Sequence, residues 1–364
     1  MENLAVRQFA DFYNGKRILV TGHTGFKGTW LSLWLKKLGA HVIGVSLDNG
    51  GKKSASGFLH EDIEDLRLDI RDFEKLSDVV ARTKPEIIFH LAAQSLVRES
   101  YLSPLKTWST NVMGTANLLE AAIQNQSVQA VLVVTTDKCY KNKEWLWGYR
   151  EIDELGGHDP YSASKAACEL VASSFRSSYC QTPRSDLLIA TARAGNVIGG
   201  GDWSKDRLIP DVIRALQNRE MIEVRSPNSI RPWQHVLDSL SGYLTLCEKL
   251  ISHGGSDFAG AWNFGPSIVD DLTVAEVLNK LSRELTGINW TTPSTSHPHE
   301  TVTLRLDSSK ARTKLNWSPT WDVDTAILKT AIWYKNWMVG GINESERQLE
   351  EYIADAQTIN AGWL

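Results

Sequence analysis

The chain has 364 residues, more than one hydrophobic core ordinarily supports, with 42% hydrophobic and 23% charged residues, the balance of an ordinary globular protein. Lys and Arg number 39 against 43 Asp and Glu, so the net charge of −4 offers no basic excess for nucleic acid. No apolar run approaches the roughly 20 residues of a membrane span, the start has no basic-then-apolar leader, and Cys139, Cys168, Cys180 and Cys247 are too scattered for a disulfide framework. These exclusions leave a cytoplasmic, two-lobed enzyme or binding protein.

In chain order, Arg17–Thr21 reads as a short buried strand, and Thr29–Leu38 as a helix stopped by Gly39. His41–Val45 is the next strand, followed by a polar, glycine-rich loop at 49–57. Leu66–Leu68 is strand-like, Phe73–Arg82 helical and Ile87–Leu91 an apolar strand. Thr107–Asn125 reads as one long helix, Val128–Val134 as a strand, Tyr161–Tyr179 as a helix and Asp186–Ala192 as a strand. Strict alternation implies parallel strands with crossover helices, an α/β doubly wound Rossmann sheet over residues 1–195. The rhythm breaks there. Residues 196–364 read as a smaller α/β substrate lobe with helices near 236–250, 273–285 and 322–338, and a segment near 232–255 returns to the sheet.

Gly22-His23-Thr24-Gly25-Phe26-Lys27-Gly28 lies directly between the first strand and the first helix. Glycines at that spacing permit a tight turn and close approach of a diphosphate, and the helix start offers free N–H groups to it. Asp48, twenty residues beyond Gly28, is placed to accept from a ribose hydroxyl, which favours NAD over NADP; Lys52 and Lys53 nearby temper that preference. Asp69 and Ile70 end the third strand and Leu91, Ala92 and Ala93 the fourth, where open parallel sheets bind ligands.

Tyr161-Ser162-Ala163-Ser164-Lys165 sets a tyrosine and a lysine one helical turn apart. A cationic lysine there is expected to favour the phenolate and lower the tyrosine pKa from about 10. With the glycine loop, this pattern resembles the extended short-chain dehydrogenase/reductase family over the whole chain. The fifth strand runs into Thr135-Thr136-Asp137-Lys138, where the family's epimerases carry small, non-acidic residues. An acid at that position resembles the nucleotide-sugar 4,6-dehydratases, although relatives have Thr-Asp-Glu. Residues 21–28, Leu91–Gln94 and Arg231–His235 (Arg-Pro-Trp-Gln-His) are similar to members that act on CDP-D-glucose.

The resemblance implies a redox cycle closed within the site. Tyr161, assisted by Lys165, takes the C4 hydroxyl proton while NAD takes the hydride; Thr136 holds the C4 oxygen. Asp137 protonates the departing 6-hydroxyl, and the hydride returns to C6. Lys138 stands where relatives have a glutamate base, and serves either as a neutral base at C5 or as a cation that stabilises the enolate. Phe26, Lys27 and Thr110 join the implied cofactor set, together with Tyr161 and Lys165. Asn196, Arg207, Leu208, Arg231 and Asn263 are the implied substrate contacts, with Arg231 as a bidentate diphosphate clamp. Val197 replaces a second amide, and no arginine of residues 297–305 can be aligned. His297 and His299 lack a third ligand, so no metal is expected. The helices 107–125 and 161–179 are implied to form a dimer interface, giving a homodimer or dimer of dimers. The competing readings are a 4-epimerase and a non-catalytic dinucleotide-binding regulator. Most of the 14 tryptophans are expected to pack rather than stack on sugar, because Trp30, Trp34, Trp333 and Trp337 sit at helical spacing.

Overall fold

The computed structural model describes residues 9, 11–48, 62–180, 186–252, 254–266, 271–292 and 303–364. The loop 49–57 with Lys52 and Lys53, and the pair His297 and His299, lie outside the described residues. Six strands arise from the alternating half: β1 (Arg17–Thr21), β2 (His41–Ser46), β3 (Glu64–Arg67), β4 (Ile87–His90), β5 (Ala130–Val134) and β6 (Leu188–Ala194). Short strands follow at β7 (Asn196–Ile198), β8 (Ile222–Glu223), β9 (Ile230–Arg231) and β10 (Trp233–His235), then β11 at Ala261–Phe264. The main sheet has seven strands in the order β11-β6-β5-β4-β1-β2-β3, all parallel. Its order reverses between β1 and β4, the crevice where such sheets take ligands.

Each strand alternates sides. Ile18 and Val20 face one apolar cluster with the helices Phe26–Lys37 and Val236–Ile251; Leu19 faces the other with Phe73–Thr83 and Gly114–Ile123. The first cluster does not stop at the sheet. It continues through Trp317, Trp333, Tyr352 and Trp363, so the core that supports the sheet also holds the last helices, Val323–Gly340 and Ser345–Thr358. Trp30 and Trp34 are buried in it, and Trp34 meets Tyr352 and Trp363 edge-on at 5.7 and 5.9 Å.

Three features depart from the sequence reading. The helix expected over 107–125 is Pro104–Trp108 and Gly114–Ile123 joined by a π turn, Ser109–Met113. The widened turn lets Asn111 donate to the Gln94 carbonyl (3.0 Å) and Ser164 Oγ (2.8 Å), locking the loop after β4 to the long helix. The segment that returns to the sheet reaches beyond 255, because β11 adds the seventh strand. Helices at Leu208–Asn218 and Ser345–Thr358 were also not anticipated.

Candidate active site

A cavity of about 1000 Å³ runs along the carboxyl ends of the strands, from the glycine loop to β8. Its floor is set by backbone contact. Gly22 has φ +75°, and a Cβ there would lie 2.8 Å from the Ala92 nitrogen; a Cβ on Gly28 would lie 2.1 Å from the Gly22 carbonyl oxygen. The helix Phe26–Lys37 starts at Gly25 without a side-chain cap and without an acidic first turn. A diphosphate therefore meets bare N–H groups on a surface with no side chain in the way, so these residues fit the dinucleotide expected of them.

The long helix Pro160–Tyr179 begins where Asp159 accepts from Ser162 N (2.9 Å) and Pro160 occupies the first turn. This fixes Tyr161 at the cavity and Lys165 one turn deeper. Both are buried, Tyr161 8% and Lys165 6% exposed. The Lys165 ammonium donates to the Val134 carbonyl at 3.0 Å. Contrary to the sequence expectation, Tyr161 is pushed up to about 12: burial dominates, and the Thr136 hydrogen bond and Arg207 charge only partly oppose it. Burial likewise holds Lys165 below the ordinary lysine value.

Beyond β5, Asp137–Cys139 forms one 3₁₀ turn, with the Thr136 hydroxyl accepting from Lys138 N (3.3 Å). Asp137 is 2% exposed; its Oδ1 accepts from the Thr136 hydroxyl at 3.0 Å, and its Oδ2 is buried without a hydrogen-bond partner. Burial raises this carboxyl above the usual range, against the opposing pull of Lys138, Thr136 and Arg231. A buried carboxyl thus sits among basic side chains. Lys27 reaches the same space, donating to the Tyr243 hydroxyl (3.1 Å), and burial with Arg207 nearby lowers it to about 7. Arg207 pairs with Asp202 at 3.0 Å and donates to Ser95 Oγ at 3.1 Å.

Residues 19–330 match the GDP-mannose 4,6-dehydratase family model. The chain belongs to the GDP-mannose 4,6-dehydratase family. It is 47% identical to the CDP-glucose 4,6-dehydratase of Salmonella typhimurium over 94% of its length and 98% of that protein. It is 29% identical to a UDP-glucose 4-epimerase of Halalkalibacterium halodurans, over 87% of this chain and 95% of that one. The crystal structure of the dTDP-glucose 4,6-dehydratase DesIV from Streptomyces venezuelae, with NAD and TYD bound, superposes with a TM-score of 0.74 at 24% identity, covering 88% and 97% of the two chains.

Within this family fold the cavity gathers most of the residues singled out in the sequence. Gly22, Gly25, Phe26, Lys27, Gly28, Asp69, Ile70, Leu91, Ala92, Ala93 and Thr110 line one end; Thr136, Asp137, Lys138, Tyr161 and Lys165 line the middle. Asn196, Arg207, Leu208 and Arg231 line the far side. Two residues stand apart. Asn263 is fully buried inside β11, its amide accepting from the Tyr140 hydroxyl (2.7 Å) and donating to the carbonyls of Tyr149 (2.8 Å) and Asp307 (3.0 Å), so it is spent on the scaffold and does not reach the cavity. Asp48 stands exposed past β2; its neighbours Ser46 and Leu47 line the wall and it does not. The sequence reading missed Arg98 and Asp206, which pair at 3.0 Å across the cavity rim. They lie 108 residues apart with no local pattern to join them. Among the described residues no group of three His, Cys, Asp or Glu is placed to hold a metal, and no helix is long and apolar enough to cross a membrane.

Proposed function

We propose that the protein is a nucleotide-sugar 4,6-dehydratase, a hydro-lyase that converts CDP-D-glucose to CDP-4-dehydro-6-deoxy-D-glucose and water. The observation that carries the reaction class is Asp137, a buried carboxyl with one unpartnered oxygen, beside Thr136 and Tyr161 in one cavity. An epimerase only oxidises and re-reduces one carbon and has no leaving hydroxyl to protonate. The choice of CDP-glucose rests on the 47% identity to the Salmonella enzyme.

Residues of the glycine loop, with Asp69, Ile70, Leu91–Ala93 and Thr110, hold NAD, which when bound supplies the two-electron chemistry between C4 and C6 of the sugar. Thr136 orients the C4 oxygen and Tyr161 accepts its proton. A phenol held at about 12 is a poor base even with the Arg207 charge and the Thr136 hydrogen bond already opposing burial, so its value must fall further when cofactor and substrate bind before it acts. Asp137 delivers its proton to the 6-hydroxyl, which leaves C6 as water while the electron pair freed at C5 forms the C5–C6 double bond. Lys138, at the same turn, takes the C5 proton. Asn196, Arg207, Leu208 and Arg231 hold the sugar nucleotide, Arg231 through its diphosphate.

The assembly is a homodimer or a dimer of dimers in the cytoplasm. Leu102, Leu105, Trp108 and Met113 on the segment 97–113, with Leu170 and Tyr179 on the long helix, leave an apolar face exposed that supports a subunit contact. The product is a precursor for deoxy and dideoxy sugars of surface polysaccharide. Sugar deuterated at C4 tests the reaction: label in the new methyl group is expected, and loss or retention at C4 overturns it. Parallel incubation with CDP-, dTDP-, UDP- and GDP-hexoses tests the base, and preference for another nucleotide overturns CDP-glucose alone.

A further inference from the structure

Behind the catalytic turn lies an ion pair that no step of the reaction uses. Glu169 and Arg193 have side chains only 2% and 3% exposed and meet at 2.8 Å. Both carboxylate oxygens of Glu169 are spent: Oε1 accepts from the Thr135 hydroxyl, and Oε2 from Thr191 Oγ1 (2.7 Å) as well as from Arg193 Nη2. Arg193 Nη1 donates to the Tyr140 hydroxyl (2.8 Å) and the Glu151 carbonyl (3.2 Å). Thr135 directly precedes Thr136, and Tyr140 follows Lys138 by two residues. The pair therefore grips both ends of the segment that carries Thr136, Asp137 and Lys138.

Glu169 also belongs to the other half of the site. Tyr161, Lys165 and Glu169 recur every four residues on the long helix, so they share one face. A buried ion pair is poor evidence for stability, because desolvation consumes most of its attraction; its use is to fix geometry. Cys168 and Glu169 on its own helix and Cys139 on the turn after β5 act electrostatically on Lys165, which in turn acts on Lys27 of the first helix and His90 at the end of β4. Burial keeps both thiols and His90 uncharged, while Arg193 holds Glu169 ionised against its own burial, so Glu169 is the anion of this group.

We propose that Glu169, clamped by Arg193, is a positioning residue that sets the separation between Thr136–Lys138 and Tyr161–Lys165 and gives the Lys165 ammonium its compensating charge. This role rests on the dehydratase reading. The test uses the full chain with NAD and CDP-glucose, following keto-sugar formation across pH. Absence of turnover in the unaltered protein overturns the reaction and this role with it; turnover with unaffected variants overturns the role alone.

Glu169→Gln is expected to lower kcat on the order of 10- to 100-fold with KM within about threefold. Its alkaline limb, where Lys165 loses its proton, moves to lower pH by roughly half a unit or more. Thr135→Val cuts the tether without unpairing Arg193, and is expected to lower kcat about tenfold with the limb unmoved; Thr135→Ser restores the rate. Wild-type kcat in Thr135→Val, or a limb in Glu169→Gln that coincides with wild type, overturns the proposal. If Glu169→Gln does not fold, the two Thr135 variants decide it.

Discussion

The Thr136 hydroxyl points at Asp137 Oδ1 from 3.0 Å, which leaves the buried Oδ2 as the oxygen without a hydrogen-bond partner. Removing the acid while keeping the shape isolates its role. Asp137→Asn is expected to lower dehydration on the order of 10²- to 10⁴-fold with KM nearly unchanged. Product analysis by NMR should show oxidation at C4 surviving the loss of elimination. Normal formation of the methyl group would place the acid elsewhere.

The proposed base role of Lys138 is read in the C5 proton. If it is the base, Lys138→Met stops solvent deuterium from entering C5, and Lys138→Glu restores exchange. Normal exchange in the Met variant would leave Lys138 as a cation beside the enolate.

Arg231 lines the far wall, donating Nη1 to the Ile230 carbonyl at 2.8 Å. As a diphosphate contact it binds ground state and transition state alike. Arg231→Ala is therefore expected to raise KM roughly 10- to 100-fold with kcat close to wild type. Steady-state kinetics decide between this and a fall in kcat alone, which would deny a uniform binding role.

Asp238 sits fully buried on the helix Val236–Ile251, and burial pushes its carboxyl up to about 7 although Tyr352, Thr320 and Trp321 donate to it. An acid whose folded pKa exceeds its unfolded value of about 3.9 holds its proton better when folded. Stability is then lost as pH rises from about 4 through 7, by roughly 4 kcal/mol from this group. Asp238→Asn keeps an acceptor and abolishes the charge. Its melting temperature should exceed wild type at pH 8 by several degrees, with the gap closing near pH 4. Parallel melting curves across that range would refute the assignment.

Gly28 packs against the Gly22 carbonyl with no room for a methyl group. Gly28→Ala is expected to weaken NAD binding at least about tenfold and to lower thermal stability, because backbone rather than a flexible side chain must yield. Calorimetric titration with NAD checks it.

Much of this was legible from local pattern. Five strands follow from apolar runs bounded by turn residues, while the strand-like Leu66–Leu68 overlaps β3 only at Leu66 and Arg67, and the glycine loop and Tyr161–Lys165 follow from spacing that backbone geometry enforces. What escaped was set by distant neighbours. Ala261-Trp262-Asn263-Phe264 is too short to announce a strand until β6 pairs with it, and so Asn263 read as a ligand contact when it is a strut. The helix Leu208–Asn218 has Pro210 in its first turn, where the missing N–H is harmless. The direction of the Tyr161 shift depends on burial, which spacing alone does not report. Glu169 was within reach, since it continues the period of Tyr161 and Lys165 by one more turn.

The late arrival of β11 dictates a schedule for synthesis. When β6 has left the ribosome its outer edge has no partner, and at ~5–20 residues per second several seconds pass before Ala261–Phe264 emerges to cover it. During that interval a bare strand rim invites pairing with other nascent copies. A truncation that ends before β11 therefore yields an aggregating fragment instead of a free-standing nucleotide-binding half.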